Sequence, residues 1–373
     1  MVKREEEIVQ LLYPLLDGGL NARTAWDVPP LYREKELTTR EWKDKIGTVT
    51  NRKLWDNAVK HTNDYELVPA LCKPRKLNRA YFKLCELIHD YQLMTKPPST
   101  AGGANHNVWN DDYGCLFSSV HIAEGPGAFI ECVADICSDL SIEHKWSAIT
   151  LAQPATDVQV AGCRAEVPDF HSKYLTRQQR ESICYGEDGT GDITVLENCK
   201  FFANFVKKRH PHGVKLVTAD GGFDVSNDYN SQENASYKLF VYEVLCAFMV
   251  LSKGGNFVLK VFDLYDDRTQ RLLNVLSGCF ISVDISKPKM SRPCNSEKYV
   301  VCTCFLGTQS THQGLGGTKI DFAHIIETMS ELQIEAIKKT LNVATTKLSK
   351  HSVMERKAYQ ETIAREYLET YVE

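Results

Sequence analysis

Short apolar, β-branched runs alternate with longer amphipathic ones from about residue 115 to 305. Val214 to Ala219 is mostly apolar and carries two valines, the pattern of a strand buried in a parallel sheet. It stops at Asp220, followed by Gly221, Gly222, Phe223 and Asp224. Gly254 to Phe262 is a second such run, entered from a glycine pair and interrupted by Lys260. Trp146 to Leu151, Phe280 to Ile285 and Tyr299 to Phe305 read as further strands. Ser118 to Val133 reads as strand, tight glycine turn and helix. Apolar residues at helical spacing predict helices over about 77–90, 197–208, 234–251 and 267–277. On the first of these Leu77, Tyr81, Leu84, Leu87 and Ile88 form the stripe, with Lys83 beside it. The stretch 95–112, rich in Thr, Pro, Gly and Asn, predicts a loop. This β-α-β alternation predicts an α/β fold, a doubly wound parallel sheet with a terminal antiparallel portion.

The flanks read differently. Residues 4–16 carry Ile8, Leu11, Leu12, Leu15 and Leu16 at helical spacing, ending at Asp17-Gly-Gly. Residues 21–75 are polar and weakly periodic, and 325–370 are helical with Leu332, Ile334, Ile337 and Leu341. The division expected is an irregular, partly helical extension at 1–75, a central domain at 76–307 and a helical extension at 308–373.

Composition narrows the partners. The 373 residues are 43% hydrophobic and 25% charged, an ordinary globular balance. Net charge is −4, so nucleic-acid binding has to come from a local patch. Candidates are the basic loop Lys287 to Lys298 and the cluster Lys207 to Arg209. No apolar run approaches the ~20 residues that span a bilayer, and no secretory h-region follows the charged N-terminus. The thirteen cysteines are scattered, odd in number and without a Cys-x-x-Cys pair. They read as free thiols, with neither disulfides nor a metal site.

Two features carry chemistry. A strand that delivers Asp220 to its carboxyl tip and turns on glycine fits an α/β active site, where ligands bind beyond the strand ends. Glu124-Gly-Pro-Gly-Ala-Phe129, between a strand and a helix, lets backbone approach a ligand closely. It is not a phosphate-binding Walker loop, because no Gly-Lys-Ser/Thr follows. Lysine 260, inside an apolar strand, has to be paired, snorkelling or working. Lys83, Asp220, Lys260 and Glu297 fall at strand ends or on a helix face near one edge. Two lysines and two carboxylates there form a coupled network, and a partly desolvated lysine has a lowered pKa and can take a proton near neutral pH.

Those four residues, with the glycine turn, resemble the Lys-Asp-Lys-Glu tetrad of FtsJ-like ribose 2′-O-methyltransferases, and within them the mRNA cap-specific enzymes. The blocks that carry the resemblance are Asn78 to Lys83, Tyr185 to Thr194, Thr218 to Asp224, Phe257 to Asp263 and Lys287 to Cys302. The resemblance implies a Rossmann-like methyltransferase sheet and S-adenosyl-L-methionine as methyl donor. It implies that Glu124, Gly125, Pro126, Gly127, Ala128 and Phe129 lie against the methionine and ribose, with Thr150 and Leu151 flanking the nucleoside and Asp192 facing adenine. Asp220 belongs near the sulfonium. Lys260 is the general base for the ribose 2′-hydroxyl, with Lys83 and Glu297 setting its pKa and position. Asn295, Arg292 and Lys287 fall where the family meets substrate RNA. Many S-adenosylmethionine folds place an acid a few residues before the turn; here Glu124 sits in the turn itself.

The function so implied is methylation of capped mRNA at the first transcribed nucleotide (cap 1). Two alternatives stay open at this level: the second nucleotide (cap 2), and a non-catalytic cap-binding or polymerase-associated subunit. Partners would be capped mRNA and other capping or transcription proteins, with no membrane. The setting would be intracellular, nuclear for a cellular enzyme and cytoplasmic for a virus-encoded one. No aromatic pair stands out as a pocket for the cap guanine.

Overall fold

The computed structural model describes residues 2–16, 31–94, 116–152, 159–160, 163–164, 177–222, 228–308 and 322–372. The expected loop at 95–112, the Asp17-Gly-Gly helix stop, and Phe223 and Asp224 lie outside the described residues.

In chain order the strands are β1 (Leu116–Ile122), β2 (Glu143–Ile149), β3 (Gln159–Val160), β4 (Cys163–Arg164), β5 (Ile183–Cys184), β6 (Val214–Ala219), β7 (Leu251–Phe262), β8 (Phe280–Ser286) and β9 (Glu297–Phe305). The helices are α1 (Val2–Leu16), α2 (Leu31–Ile46), α3 (Arg52–Thr62), α4 (Val68–Leu71), α5 (Arg79–Tyr91), α6 (Ala128–Asp139), α7 (Arg177–Arg180), α8 (Leu196–Arg209), α9 (Gln232–Val250), α10 (Asp267–Cys279), α11 (Phe322–Thr345) and α12 (Lys350–Tyr371).

Seven strands make one sheet in the order β5-β2-β1-β6-β7-β9-β8, while β3 and β4 pair separately. β5, β2, β1, β6 and β7 are parallel, and β9 is antiparallel to both β7 and β8. The doubly wound sheet with an antiparallel edge, predicted from the pattern, is the sheet observed. The edge strand β5 and the β3–β4 pair are additions, each only two residues per strand.

Helices cover both faces. One core joins α1, α8, α9 and α10 to the sheet through Ile8, Leu12, Phe202, Phe240, Val244 and Leu276. The other joins α5, α6 and α12 through Phe82, Leu84, Phe129, Val133 and Tyr367. Side chains alternate across a strand. On β7, Phe257, Leu259 and Val261 enter the first core and Val258 the second. Lys260 therefore shares the α5 side of the sheet with Val258, and Tyr299, its register partner on β9, lies in that second core. The helix α9 is apolar nearly all round because it is covered on every side, so almost all its residues are buried.

Polar residues inside the sheet pair with one another, leaving His144 Nδ1 buried without a partner. Ser119 Oγ lies 2.8 Å from His121 Nε2 and 2.7 Å from His144 Nε2. His121 Nδ1 meets Thr218 Oγ1 at 2.9 Å, and Ser147 Oγ meets His210 Nε2 at 3.0 Å. Burial drives His144 and His210 down to about 4 and His121 well below its usual range. The rings are neutral and act as hydrogen-bonding spacers.

The polar segment at 21–75 is more regular than its composition suggests, holding α2, α3 and α4. Ile46, Trp55 and Val59 pack with Ile337 of α11 and Cys294. One cysteine pair departs from the free-thiol reading: Cys199 and Cys246 are bridged, with Cα atoms 5.9 Å apart. They come together because α8 and α9 pack on the same face. Nine others, among them Cys85, Cys132 and Cys302, are free and all but Cys304 are buried. Among the described residues no helix is long and apolar enough to cross a membrane.

Candidate active site

The site lies at the carboxyl ends of β1, β2, β6 and β7, where backbone bonds lace the strand tips together. Glu124 N–H donates to Ile149 O at 3.4 Å and Asp220 N–H to Ile122 O at 3.3 Å. The glycine turn closes with Gly127 N–H on Glu124 O at 2.7 Å, and Gly127 has φ 104°, a conformation suited to glycine. The Glu124 carboxylate folds under α6 and accepts from Phe129 N–H at 2.7 Å and Ile130 N–H at 3.3 Å. Burial, and then the charge of Asp220, raise this carboxyl well above the usual range. Glu124 thus props the turn from beneath, and Gly125 N–H is held by Thr150 Oγ1 at 3.3 Å.

The loop that carries Asp192 packs on the end of β2 at Thr150. Gly191 has φ +71°, and a Cβ there would sit 1.8 Å from the Thr150 carbonyl oxygen. Only glycine lets the loop after β5 lie so close to the end of β2. Ala152 N–H donates to Thr190 O at 2.7 Å, and Asp192 Oδ1 accepts from Thr194 N–H at 2.8 Å. The glycine turn, Thr150 and the loop that carries Asp192 are therefore neighbours at these strand ends, with Glu124 turned beneath α6.

The four tetrad residues also converge. Asn78 caps α5, its side chain accepting from Ala80 N–H at 2.7 Å, which starts the helix that presents Lys83. Arg79 donates to Met290 O at 2.6 Å and Glu86 accepts from Lys289 N–H at 2.7 Å, stitching α5 to the loop before β9. Lys83 Nζ then reaches Glu297 Oε1 at 2.6 Å. Lys260 Nζ lies 3.2 Å from Asp220 Oδ1 and donates to Asp220 O at 2.6 Å. Two ion pairs with two charges of each sign leave the cluster neutral.

Burial works to raise Glu297, but Lys83 and Lys260 outweigh it and hold its carboxyl at about 2. At Lys260 the sequence-based expectation is corrected. Burial pulls its ammonium down, yet Asp220 and Glu297 more than offset this, and the net shift is upward. Both carboxylates face the same ammonium, and their charges outweigh its desolvation.

Three neighbours escaped the sequence reading. Tyr299 donates its hydroxyl to Asp220 Oδ1 at 2.9 Å, and Ser291 donates to Glu297 Oε1 at 2.6 Å. Both stand inside the block Lys287 to Cys302, which was the available signal. Glu243, on the apolar helix α9, accepts from Gly221 N–H at 3.1 Å and had no such signal.

Beside the tetrad is a cavity of about 440 Å³, onto which Lys260, Glu297, Arg292 and Asn295 open. Its other walls come from Lys43, Arg52, Trp55 and Asp56 of α2 and α3, from Tyr229 and Gln232, and from Gln333 of α11. Arg292 Nε is buried here with no hydrogen-bond partner. Lys287 is differently engaged: its ammonium donates to Asn295 O at 2.6 Å and Glu297 O at 2.9 Å, clipping the base of the loop. The cluster at Lys207 to Arg209 is at the wrong end of the sheet, just before β6 begins. There Lys207 pairs with Glu5, and Arg209 donates to Ser182 Oγ at 2.9 Å.

The FtsJ-like methyltransferase family model matches residues 77–305, more than half of the chain. A zebrafish (Danio rerio) cap-specific mRNA (nucleoside-2′-O-)-methyltransferase 2 is 33% identical over 261 residues, 69% of this chain and 30% of that protein. A Xenopus laevis cap-specific mRNA (nucleoside-2′-O-)-methyltransferase 1 is 33% identical over 249 residues, 65% of this chain and 27% of that protein. The Trypanosoma brucei brucei protein of the latter name is 34% identical over 192 residues, 51% of this chain and 48% of that protein. The chain thus spans less than a third of the two vertebrate relatives and about half of the trypanosome one. The match runs from the capped start of α5 through β9, so it takes in all four tetrad residues, and the chain belongs to the FtsJ-like methyltransferase family.

Proposed function

We propose that the protein transfers a methyl group from S-adenosyl-L-methionine to the ribose 2′-hydroxyl of the first transcribed nucleotide of capped mRNA. The observation that carries this reading is the convergence of Lys83–Glu297 and Lys260–Asp220 at the strand tips, beside the glycine turn.

The crevice suits a nucleoside sulfonium better than a dinucleotide. The N–H groups of Phe129 and Ile130, which elsewhere would greet a phosphate, are already taken by Glu124. The Asp220 carboxylate supplies negative charge at the strand tip, where a cation is favoured. Gly125, Pro126, Gly127, Ala128 and Phe129 would hold the methionine and ribose, and Thr150, Leu151 and Asp192 the nucleoside. The cofactor supplies an electrophilic methyl group.

The chain's own residues do the rest. Lys260 receives the 2′-hydroxyl proton, and Glu297 and Lys83 keep its amine aimed at that oxygen. With Asp220 engaged by the sulfonium, Lys260 loses part of what holds its own proton, so its upward shift relaxes as the cofactor binds. Tyr299 holds the Asp220 carboxylate in place. Arg292, with its buried unpartnered Nε, and Asn295 would contact the RNA across the cavity, with Lys287 holding their loop. Phosphate contacts at one groove suit a chain whose net charge is −4. Capped mRNA is the partner in this reading, alongside other capping or transcription proteins. The setting is intracellular, nuclear for a cellular enzyme and cytoplasmic for a virus-encoded one.

The block Ser291-Arg-Pro-Cys-Asn-Ser-Glu297 resembles the cap 1 branch and supports the first nucleotide, whereas Ala128-Phe129 and Thr190-Gly-Asp-Ile193 resemble the cap 2 branch, and relatives named for both enzymes match. Transfer of labelled methyl to short capped RNA, mapped by nuclease digestion, tests the reading. Label at the first 2′-oxygen, lost in Lys260→Ala, is the expected result. Label at the second nucleotide moves the assignment to cap 2. No transfer, with cofactor and capped RNA both bound, makes the protein a non-catalytic subunit.

A further inference from the structure

We propose that Glu243 is a positioning residue for Lys260, acting through the single peptide group that joins Asp220 to Gly221. The inference rests on the reading of Lys260 as the group that takes the proton.

The two ends of that peptide are engaged from opposite sides. Its N–H, on Gly221, donates to Glu243 Oε1 at 3.1 Å. Its carbonyl, on Asp220, accepts from Lys260 Nζ at 2.6 Å. A hydrogen bond at one end of a peptide polarises the group and strengthens the bond at the other. The run Glu243, peptide, Lys260 is therefore one chain of hydrogen bonds, and it fixes which way the Asp220 carbonyl points.

Glu243 is otherwise hard to account for. It sits wholly buried on the long, largely apolar helix α9, where a leucine would pack. Its second oxygen, Oε2, is buried with no hydrogen-bond partner. A carboxyl so placed costs stability, and packing alone gives no return for it. The neighbouring chain is shaped to admit it: a Cβ at position 221 would lie 2.3 Å from Glu243 Oε1. The glycine after Asp220 is what lets the carboxyl reach the peptide.

The charged groups bearing on Glu243 are Lys260 on β7 and Asp220 at the tip of β6. Among the described residues, α1, α8 and α10 bring none to it. Burial is the main cause that raises Glu243, to about 8. Lys260 in turn faces Asp220, Glu297 and Glu243. Lys260 loses its proton at a pH where Glu243 is already ionised, so the Glu243 charge helps hold that proton.

The test is a titration of Lys260 that does not depend on turnover. The full chain is modified by formaldehyde and cyanoborohydride across a pH series, and the Lys260 peptide is scored by mass spectrometry. Glu243→Gln keeps an acceptor for Gly221 N–H and removes the charge. In it the Lys260 titration should fall by about one pH unit, with roughly tenfold faster modification on the rising limb. The acid limb of the kcat–pH profile on capped RNA should move down with it. Glu243→Leu frees the peptide, and kcat should drop about tenfold or more with KM for RNA little changed. A Lys260 titration that is unshifted or raised in Glu243→Gln overturns the proposal, and so does a wild-type kcat in Glu243→Leu. Where Glu243→Leu fails to fold, the Glu243→Gln titration decides alone. A wild-type protein that transfers no methyl while the titration shifts as expected sinks the transferase reading and leaves the Glu243–Lys260 coupling standing.

Discussion

Lys43 and Asp263 form an ion pair of 2.6 Å with side chains only 4% and 5% exposed. It ties α2, outside the family-matched segment, to the end of β7, three residues past Lys260. Thr39, one turn earlier on α2, meets Tyr265 Oη at 2.9 Å, and Tyr265 Oη meets Ser330 Oγ of α11 at 2.6 Å. Two terminal segments are thereby riveted to the turn behind the tetrad. Lys43→Met would leave Asp263 charged and buried, which costs about 3 kcal/mol or more. The double variant Lys43→Met/Asp263→Asn should recover a good part of that, since asparagine tolerates the left-handed φ of 51° at this position. Urea unfolding of the three proteins checks both statements. A double variant less stable than Lys43→Met would refute the account.

Glycines 191 and 189 make a matched pair for testing the cofactor crevice. Both have positive φ, +71° and +77°, but only Gly191 abuts backbone, and nothing lies within 4 Å of a Cβ built at Gly189. Gly189→Ala should cost about 1 kcal/mol of stability and leave cofactor affinity unchanged. Gly191→Ala must push the loop off Thr150, and should weaken S-adenosylhomocysteine binding on the order of tenfold besides destabilising the fold. Calorimetric titration of both variants gives the comparison. Equal affinities would mean that this loop does not touch the cofactor.

His210 predicts a pH dependence of stability. Burial is the main reason its folded pKa lies near 4, below the ordinary value of 6.5, so the unfolded chain binds the extra proton first. The stability that neutral His210 brings is complete above about 6.5, falls as the pH drops towards 4, and changes no further below that. His210→Gln removes this dependence. The difference in unfolding free energy between wild type and variant should therefore change by about 1.4 kcal/mol per pH unit across the window. Glu86 and Glu233, both raised to about 7 chiefly by burial, slope the other way. They are present in both proteins, so they cancel in the difference, which chemical denaturation at several pH values would measure.

Four of the five parallel strands were legible as short apolar runs, and β6 matches its expected bounds, Val214 to Ala219; β5, only two residues long, gives no such run. The antiparallel edge followed from the order of the last three runs. α2 was not legible, since the residues it buries include Thr39 and Lys43, which satisfy each other's neighbours through polar pairs and leave no apolar period to read. The tetrad could be listed from motifs, but its electrostatics could not. Whether Lys260 is pulled down by burial or held up by carboxylates depends on distances of 3.2 Å and less. The cavity was the least visible feature, because Arg52, Tyr229 and Gln333 are separated by more than a hundred residues each.

The reversed direction of β9 has a consequence for synthesis. In a wholly parallel sheet every group at the strand tips arrives as its strand finishes. Here Glu297 opens β9 and pairs with Phe262, which closes β7, so the fourth charge of the tetrad arrives last, with the start of a strand and not with its end. Gln333, on α11, adds its share of the cavity later still. A nascent chain on the ribosome can bury most of its two cores while Lys83 still lacks its partner. The growing polypeptide therefore holds a nearly complete scaffold with an unfinished centre until the antiparallel strand is released.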